Sequence, residues 1–261
     1  MADDGAALLR VQGVSVRFGG IVALDGVSFD VARGDICALI GPNGAGKTTL
    51  FNCISRLYRC DRGDIRFEGR SLTREPQHRI AGLGLGRTFQ NLAMFRTLTV
   101  TDNVMVGAHA RSSAGFVAGA LRWPAVGAEE RRLREQAELI MDELQLTAHA
   151  ERPAGELPFA IQKRVELARA LAAEPKLLML DEPAAGLNHE ELHALTALLR
   201  RLRERRGLTV LLVEHHMGLV MGLSDHIVAL NFGRKIAEGT PAQIQQHPDV
   251  IEAYLGAGAH G

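Results

Sequence analysis

Eight consecutive residues, Gly41-Pro42-Asn43-Gly44-Ala45-Gly46-Lys47-Thr48, could do phosphate chemistry. The glycines let backbone N–H groups curl around an anion, Lys47 offers a mobile positive charge to β- and γ-phosphates, and the Thr48 hydroxyl is suited to ligand Mg²⁺. A second pair, Asp181 and Glu182, follows the apolar run Lys176-Leu177-Leu178-Met179-Leu180. One carboxylate there can hold Mg²⁺ through water while its neighbour orients and polarises the water that attacks the γ-phosphate, so Asp181 is assigned to the metal and Glu182 to the water. Taken alone, the same pair is equally an acidic cluster at the start of a helix. Another apolar run, Leu208 to Val213, ends at Glu214-His215-His216. Its imidazole, His215, could hydrogen-bond a γ-phosphate oxygen and hold Glu182 and the water in line. Phe18, at a turn ahead of the phosphate loop, offers adenine a stacking face, the alternative being an ordinary strand-end phenylalanine. The chain carries no Asn-Lys-x-Asp base-reading motif, which argues against a small GTPase.

These groups act together only if strands deliver them to one edge. Ile36 to Ile40 precede the glycine-rich run and Thr49-Leu50-Phe51 follow it, so a buried strand hands over to a helix whose positive end faces the anion. The runs at 176–180 and 208–213 are continuously apolar, as expected of strands covered on both faces of a parallel sheet. Ahead of the loop, Val14-Ser15-Val16-Arg17-Phe18 and Val27-Ser28-Phe29-Asp30-Val31 alternate around the turns Gly19-Gly20 and Arg33-Gly34-Asp35, which predicts short antiparallel strands. Leu133, Ala137, Ile140, Met141 and Leu144 predict a helix from about Glu129 to Leu146, and Leu192, Leu195, Leu198, Leu199 and Leu202 predict another. The stretch 89–171 is mostly helical in pattern and interrupts the strand–helix alternation, so it is read as an inserted helical subdomain. Within it, Arg111 to Gly127 is rich in Gly, Ala and Ser and reads as a loop.

With 261 residues and 46% hydrophobic content the chain can bury a large core. Thirty basic residues balance thirty acidic ones, which argues against a broad nucleic-acid or anionic-membrane surface. Cys37, Cys53 and Cys60 are odd in number and suit reduced thiols in a cytosolic protein. No run of eighteen apolar residues occurs, and Met1-Ala2-Asp3-Asp4 lacks the parts of a signal peptide, so a membrane role is expected to come through a partner.

Together these residues resemble the ATP-binding subunit of an ATP-binding cassette (ABC) transporter, over nearly the whole chain. The resemblance implies an α/β P-loop NTPase fold, with a RecA-like core sheet, an antiparallel β subdomain and an inserted helical subdomain, in one cassette domain spanning 1–261. It makes Gly41 to Thr49 the Walker A loop that binds ATP, with Gly41, Pro42, Asn43, Gly44, Ala45, Gly46, Lys47, Thr48 and Thr49 around the phosphates. It makes Leu177 to Asp181 the Walker B strand, Glu182 the catalytic base, His215 the switch histidine, and Gln90 the glutamine loop that senses Mg²⁺ and the membrane partner. It also implies two cassettes dimerising head to tail, transmembrane permease subunits, an indirect link to a solute-binding protein, and a place on the inner face of the cell membrane. Ala184-Ala185-Gly186-Leu187-Asn188, Arg87-Thr88-Phe89-Gln90-Asn91, Thr99-Val100-Thr101-Asp102-Asn103-Val104 and the ending His247 to Gly256 look like the branched-chain amino acid type of importer. The substrate class rests on that resemblance alone.

The signature departs from the family. Where Leu-Ser-Gly-Gly-Gln is usual, this chain has Leu157-Pro158-Phe159-Ala160-Ile161, without the γ-phosphate-binding serine or either glycine. Proline is acceptable in the first helical turn, so the helix can still aim its positive end at a phosphate. Losing one charge-assisted hydrogen bond costs about 1.5–3 kcal/mol. The altered loop favours a different cassette as partner, giving an asymmetric pair; in a homodimer both sites would carry it and turn over slowly. Asn188 stands where many cassettes have aspartate, and is read as a helix cap with Glu191, a dimer contact, or both. Leu92, Met94 and Phe95 are expected either beside a groove for a permease helix or in the subdomain core. Alternative readings are a lipid or lipopolysaccharide export cassette, a weakly hydrolysing regulatory cassette and a soluble non-transport ABC protein.

Overall fold

The computed structural model describes residues 7–88, 94–109 and 124–257. Strands β1 (Ala7–Phe18) and β2 (Ile21–Ala32) form a long antiparallel pair, longer than the alternating segments alone suggested. Val11 and Val14 are both buried although their spacing would put them on opposite faces. A register shift between them, with Gly13 at φ 60°, restores the inward face.

Strand β3 (Ile36–Ile40) is buried at all five positions and leads into helix α1 (Lys47–Ile54). Then come β4 (Arg62–Phe67) and β5 (Arg70–Ser71), which complete a four-stranded sheet in the order β2-β1-β4-β5. Short strand β6 (Leu85–Arg87) is followed by α2 (Val100–His109), α3 (Pro124–Glu143) and α4 (Phe159–Ala172) before the chain returns to β7 (Leu177–Asp181). Helix α5 (His189–Arg206), β8 (Thr209–Val213), α6 (Met217–Leu223), β9 (His226–Asn231), β10 (Arg234–Gly239), α7 (Pro241–Gln245) and α8 (Pro248–Ala257) follow.

The main sheet has the order β10-β9-β3-β8-β7-β6, parallel from β9 to β6 with β10 antiparallel on the edge. Its central strands are apolar throughout because both faces are covered. On β7 and β8, Leu177, Met179, Leu211 and Val213 pack towards the antiparallel sheet and α1, while Leu178, Leu180, Val210 and Leu212 pack towards the helical side. At about 1.5–3 kcal/mol for each fully buried aliphatic side chain, this two-sided cover holds the central strands in the core.

The third helix begins at Pro124 rather than near Glu129, so the expected loop 111–127 runs into helix; proline is suited to a helix's first turn. It also ends earlier than Leu146. Gln145 takes the left-handed conformation at φ 57°, and Leu146 N–H returns to Met141 O at 2.7 Å, a closure that stops a helix. Ala137, Ile140, Met141 and Leu144 are buried as their spacing requires. Asn188 caps α5: its side chain accepts from Glu191 N–H at 3.0 Å and Glu191 accepts from Asn188 N–H at 2.9 Å. All three cysteines are free.

Candidate functional site

Adjacent parallel strands β3, β8 and β7 end on one edge of the sheet, so the segments after Ile40, Val213 and Asp181 meet there. Open α/β sheets bind ligands at this edge.

The glycine-rich loop is shaped by close backbone neighbours. Gly41 lies at φ 149° and Gly46 at φ 101°. A Cβ on Gly41 would fall 2.2 Å from Leu230 O, and one on Gly46 would fall 2.7 Å from Ala23 O, so no side chain fits at either position. Gly46 caps α1, whose first residue Lys47 is 5% exposed while Thr48 is exposed. Lys47 Nζ donates to Gly41 O at 2.7 Å and to Pro42 O at 3.0 Å. Burial pulls its ammonium below the usual lysine range, and the nearby Glu182 and Asp181 carboxylates oppose that shift.

Asp181, the last residue of β7, is 3% exposed. Its Oδ2 accepts from Arg87 at 3.1 Å, and its Oδ1 is buried with no hydrogen-bond partner among the described residues. Burial raises its carboxyl above the usual range, with the Arg87 guanidinium pulling it back. Glu182 sits in the left-handed region at φ 48°, a strained backbone for a side chain of this size. Its Oε1 lies 2.6 Å from His215 Nε2. Thus Lys47, Asp181, Glu182 and His215, drawn from three separate stretches of the chain, share one site. Phe18 is 47% exposed at the end of β1, and its ring meets Tyr58 edge-to-face at 5.2 Å. Gln90 and Leu92 lie outside the described residues. Met94 packs partly buried against the helical core, whereas Phe95 is exposed with the Arg169 guanidinium 5.9 Å from its ring centre.

Comparison with known proteins agrees with this arrangement. The family model described as ABC transporter matches residues 24–185, and that described as Branched-chain amino acid ATP-binding cassette transporter matches residues 234–260. The chain belongs to the ABC transporter family. It is 46% identical over 249 residues to the high-affinity branched-chain amino acid transport ATP-binding protein BraF of Pseudomonas aeruginosa, covering 95% of this chain and 98% of that one. Identity to LivG of Escherichia coli, named for the same transport, is 43% with the same coverage. Among solved structures, the ADP conformation of an ATP-binding cassette of an ABC transporter superposes with a TM-score of 0.84 at 33% identity, covering 96% of this chain and 99% of that one. The protein is therefore an ATP-binding cassette that hydrolyses ATP to power transport.

Three residues of this cassette gained their place only from the structure. Arg87 on β6 donates to Asn52 Oδ1, Ser55 Oγ and Asp181 Oδ2, so it ties the phosphate-loop helix and its exit to the end of β7. Glu214 receives backbone N–H groups from two segments of the site. Tyr254 on α8 accepts the Gly41 N–H at 2.9 Å from 213 residues away. Burial holds its phenol above the usual range, so the hydroxyl stays neutral. Tyr254→Phe is expected to orphan the Gly41 N–H and destabilise the fold by about 1–3 kcal/mol, measured by urea denaturation, with weaker MgATP binding alongside.

The altered signature has its own geometry. Pro158 is the cap residue ahead of α4 rather than part of its first turn, and Phe159 is the first helical residue. The Phe159 ring packs against the cassette's own Gly186, where a Cβ would meet it at 2.9 Å, and Lys163 Nζ lies 5.5 Å from its centre.

Proposed function

We propose that this cassette binds MgATP at residues 41–49 and hydrolyses it with Glu182 as general base, powering import of branched-chain amino acids or a related small polar solute. The observation that carries the mechanism is the 2.6 Å contact between Glu182 and His215 at the sheet edge holding Lys47 and Asp181. Glu182 takes a proton from water as the water's oxygen attacks the γ-phosphate and the bond to the leaving β-phosphate oxygen breaks. His215 steadies the γ-phosphate, and Lys47 leaves the Gly41 and Pro42 carbonyls for phosphate oxygens. Phe18 stacks on adenine. The unpartnered, buried Asp181 Oδ1 and the exposed Thr48 hydroxyl fit Mg²⁺, one through water and one directly. When bound, Mg²⁺ would neutralise charge on the β- and γ-phosphate oxygens. Gln90 is assigned to sensing the metal and the permease.

The substrate reading is supported by identity along almost the full length to BraF and LivG. Residues 1–261 are treated as one cassette domain and 89–171 as its helical insertion. No helix among the described residues is long and apolar enough to cross a membrane, so the membrane step is assigned to permease subunits, with the cassette on the inner face. Pro158 and Phe159 in place of serine and glycine support a second, different cassette closing over this chain's nucleotide.

The test is ATP turnover by the assembled transporter in proteoliposomes. Solute-binding protein loaded with leucine, isoleucine or valine is expected to stimulate turnover over the unloaded protein. Stimulation by lipid or lipopolysaccharide instead would favour the export reading.

A further inference from the structure

Glu214 stands between the end of β8 and His215 and is 2% exposed. Its carboxylate receives three backbone N–H groups: Oε1 that of Ala184 at 2.7 Å, and Oε2 those of His215 at 3.0 Å and His216 at 3.1 Å. Ala184 lies in the turn that starts at Glu182, whereas His215 carries the imidazole that faces Glu182. One buried anion therefore bridges the two segments whose side chains meet at 2.6 Å. We propose that Glu214 is a positioning residue for ATP hydrolysis, fixing the distance and angle between the Glu182 turn and the His215 loop. The proposal rests on the reading of Glu182 as base.

A carboxylate suits this geometry. It has acceptors on both oxygens and no donor, and hydrogen bonds to a charged group are shorter and stronger than neutral ones. The turn needs such an anchor because Glu182 is held at φ 48°, a conformation that persists only when surrounding contacts over-determine it. Other contacts act on the same turn. Glu182 N–H donates to Val213 O at 2.9 Å, Lys163 Nζ donates to Glu182 O at 3.4 Å, and the Phe159 ring presses on Gly186. Of these restraints, the Glu214 carboxylate is the one that also holds the His215 and His216 N–H groups. Glutamine would keep the shape but turn an NH₂ donor towards backbone donors. Aspartate would keep the charge but, one methylene shorter, could not reach both segments.

Glu214→Gln, Glu214→Asp and Glu182→Gln are compared in the assembled transporter for kcat and as the purified full chain for MgATP binding. The expected result for Glu214→Gln is a fall in kcat of about tenfold or more with MgATP affinity within about twofold of wild type, and a kcat loss with the same unchanged affinity for aspartate. Combining Glu214→Gln with Glu182→Gln should add little further loss, because both act on one step. Unchanged kcat in the glutamine and aspartate variants, or equal falls in binding and kcat, would overturn the proposal. If Glu214→Gln does not fold, the aspartate variant decides by the same split. Failure of the base reading is seen separately, as turnover retained by Glu182→Gln alone.

Discussion

Glu182→Gln is expected to lower steady-state ATP turnover by about 10²–10⁴-fold while MgATP still binds. The amide is nearly isosteric, so the contact distance of 2.6 Å to His215 can be kept as an ordinary hydrogen bond. What disappears is the ability to accept a proton from attacking water. Because Lys47 and the loop N–H groups are untouched, nucleotide binding should stay within a few-fold of wild type, read by calorimetry on the purified chain. The variant also reports on pairing. On the proposed pairing, an ATP-closed dimer is expected to accumulate without hydrolysis, and if a different cassette supplies the opposing signature helix, this variant alone with MgATP should remain monomeric on size exclusion. A stable homodimer under those conditions would remove the hetero-partner. Turnover at the wild-type rate would remove Glu182 from its role.

Lys47→Ala is expected to weaken MgATP binding by about tenfold to a hundredfold or more. The estimate follows from losing one or more hydrogen bonds to a charged group at about 1.5–3 kcal/mol each. Calorimetric titration with MgATP is the measurement. The fold should survive, because among the described residues the ammonium donates only to the Gly41 and Pro42 carbonyls at the edge of the site, and alanine leaves the helix backbone intact. The two substitutions separate binding from chemistry: Lys47→Ala acts mainly on affinity and Glu182→Gln on kcat. Should Lys47→Ala bind MgATP as wild type does, the loop would not be the phosphate site.

The parts of the site that were legible in the sequence share one property. Lys47 lies just beyond the loop that follows one mainly apolar run, and Asp181, Glu182 and His215 lie at or just after the ends of two others; such runs are readable because a strand covered on both faces is mostly apolar. Their convergence also required strand order, which periodicity does not contain; β3, β8 and β7 being neighbours is a tertiary fact. Arg87, Glu214 and Tyr254 were not legible as site residues for the same reason. Their partners Asp181, Ala184 and Gly41 lie 94, 30 and 213 residues away, and an arginine, a glutamate or a tyrosine seen alone carries no sign of them. Helix α3 was found by its apolar stripe but misplaced at both ends. Its start depends on Pro124 beginning a helix instead of closing a loop, and its stop on Gln145 taking a left-handed conformation more often given to glycine or asparagine. The signature loop was recognised as altered, yet the packing of Phe159 against Gly186 of the same chain could not be read from a substitution pattern.

On this mechanism, nucleotide hydrolysis at this chain's own site, with Glu182 as base, drives amino-acid import. The direct measurement is uptake of radiolabelled leucine into proteoliposomes holding the permease and its cassettes, with MgATP on the cassette side and loaded solute-binding protein on the other. Wild-type cassette should give ATP-dependent accumulation, and Glu182→Gln should reduce it to the level seen without ATP. Equal accumulation with both proteins, or none with wild type while ATP is being hydrolysed, would show that hydrolysis at Glu182 does not drive import.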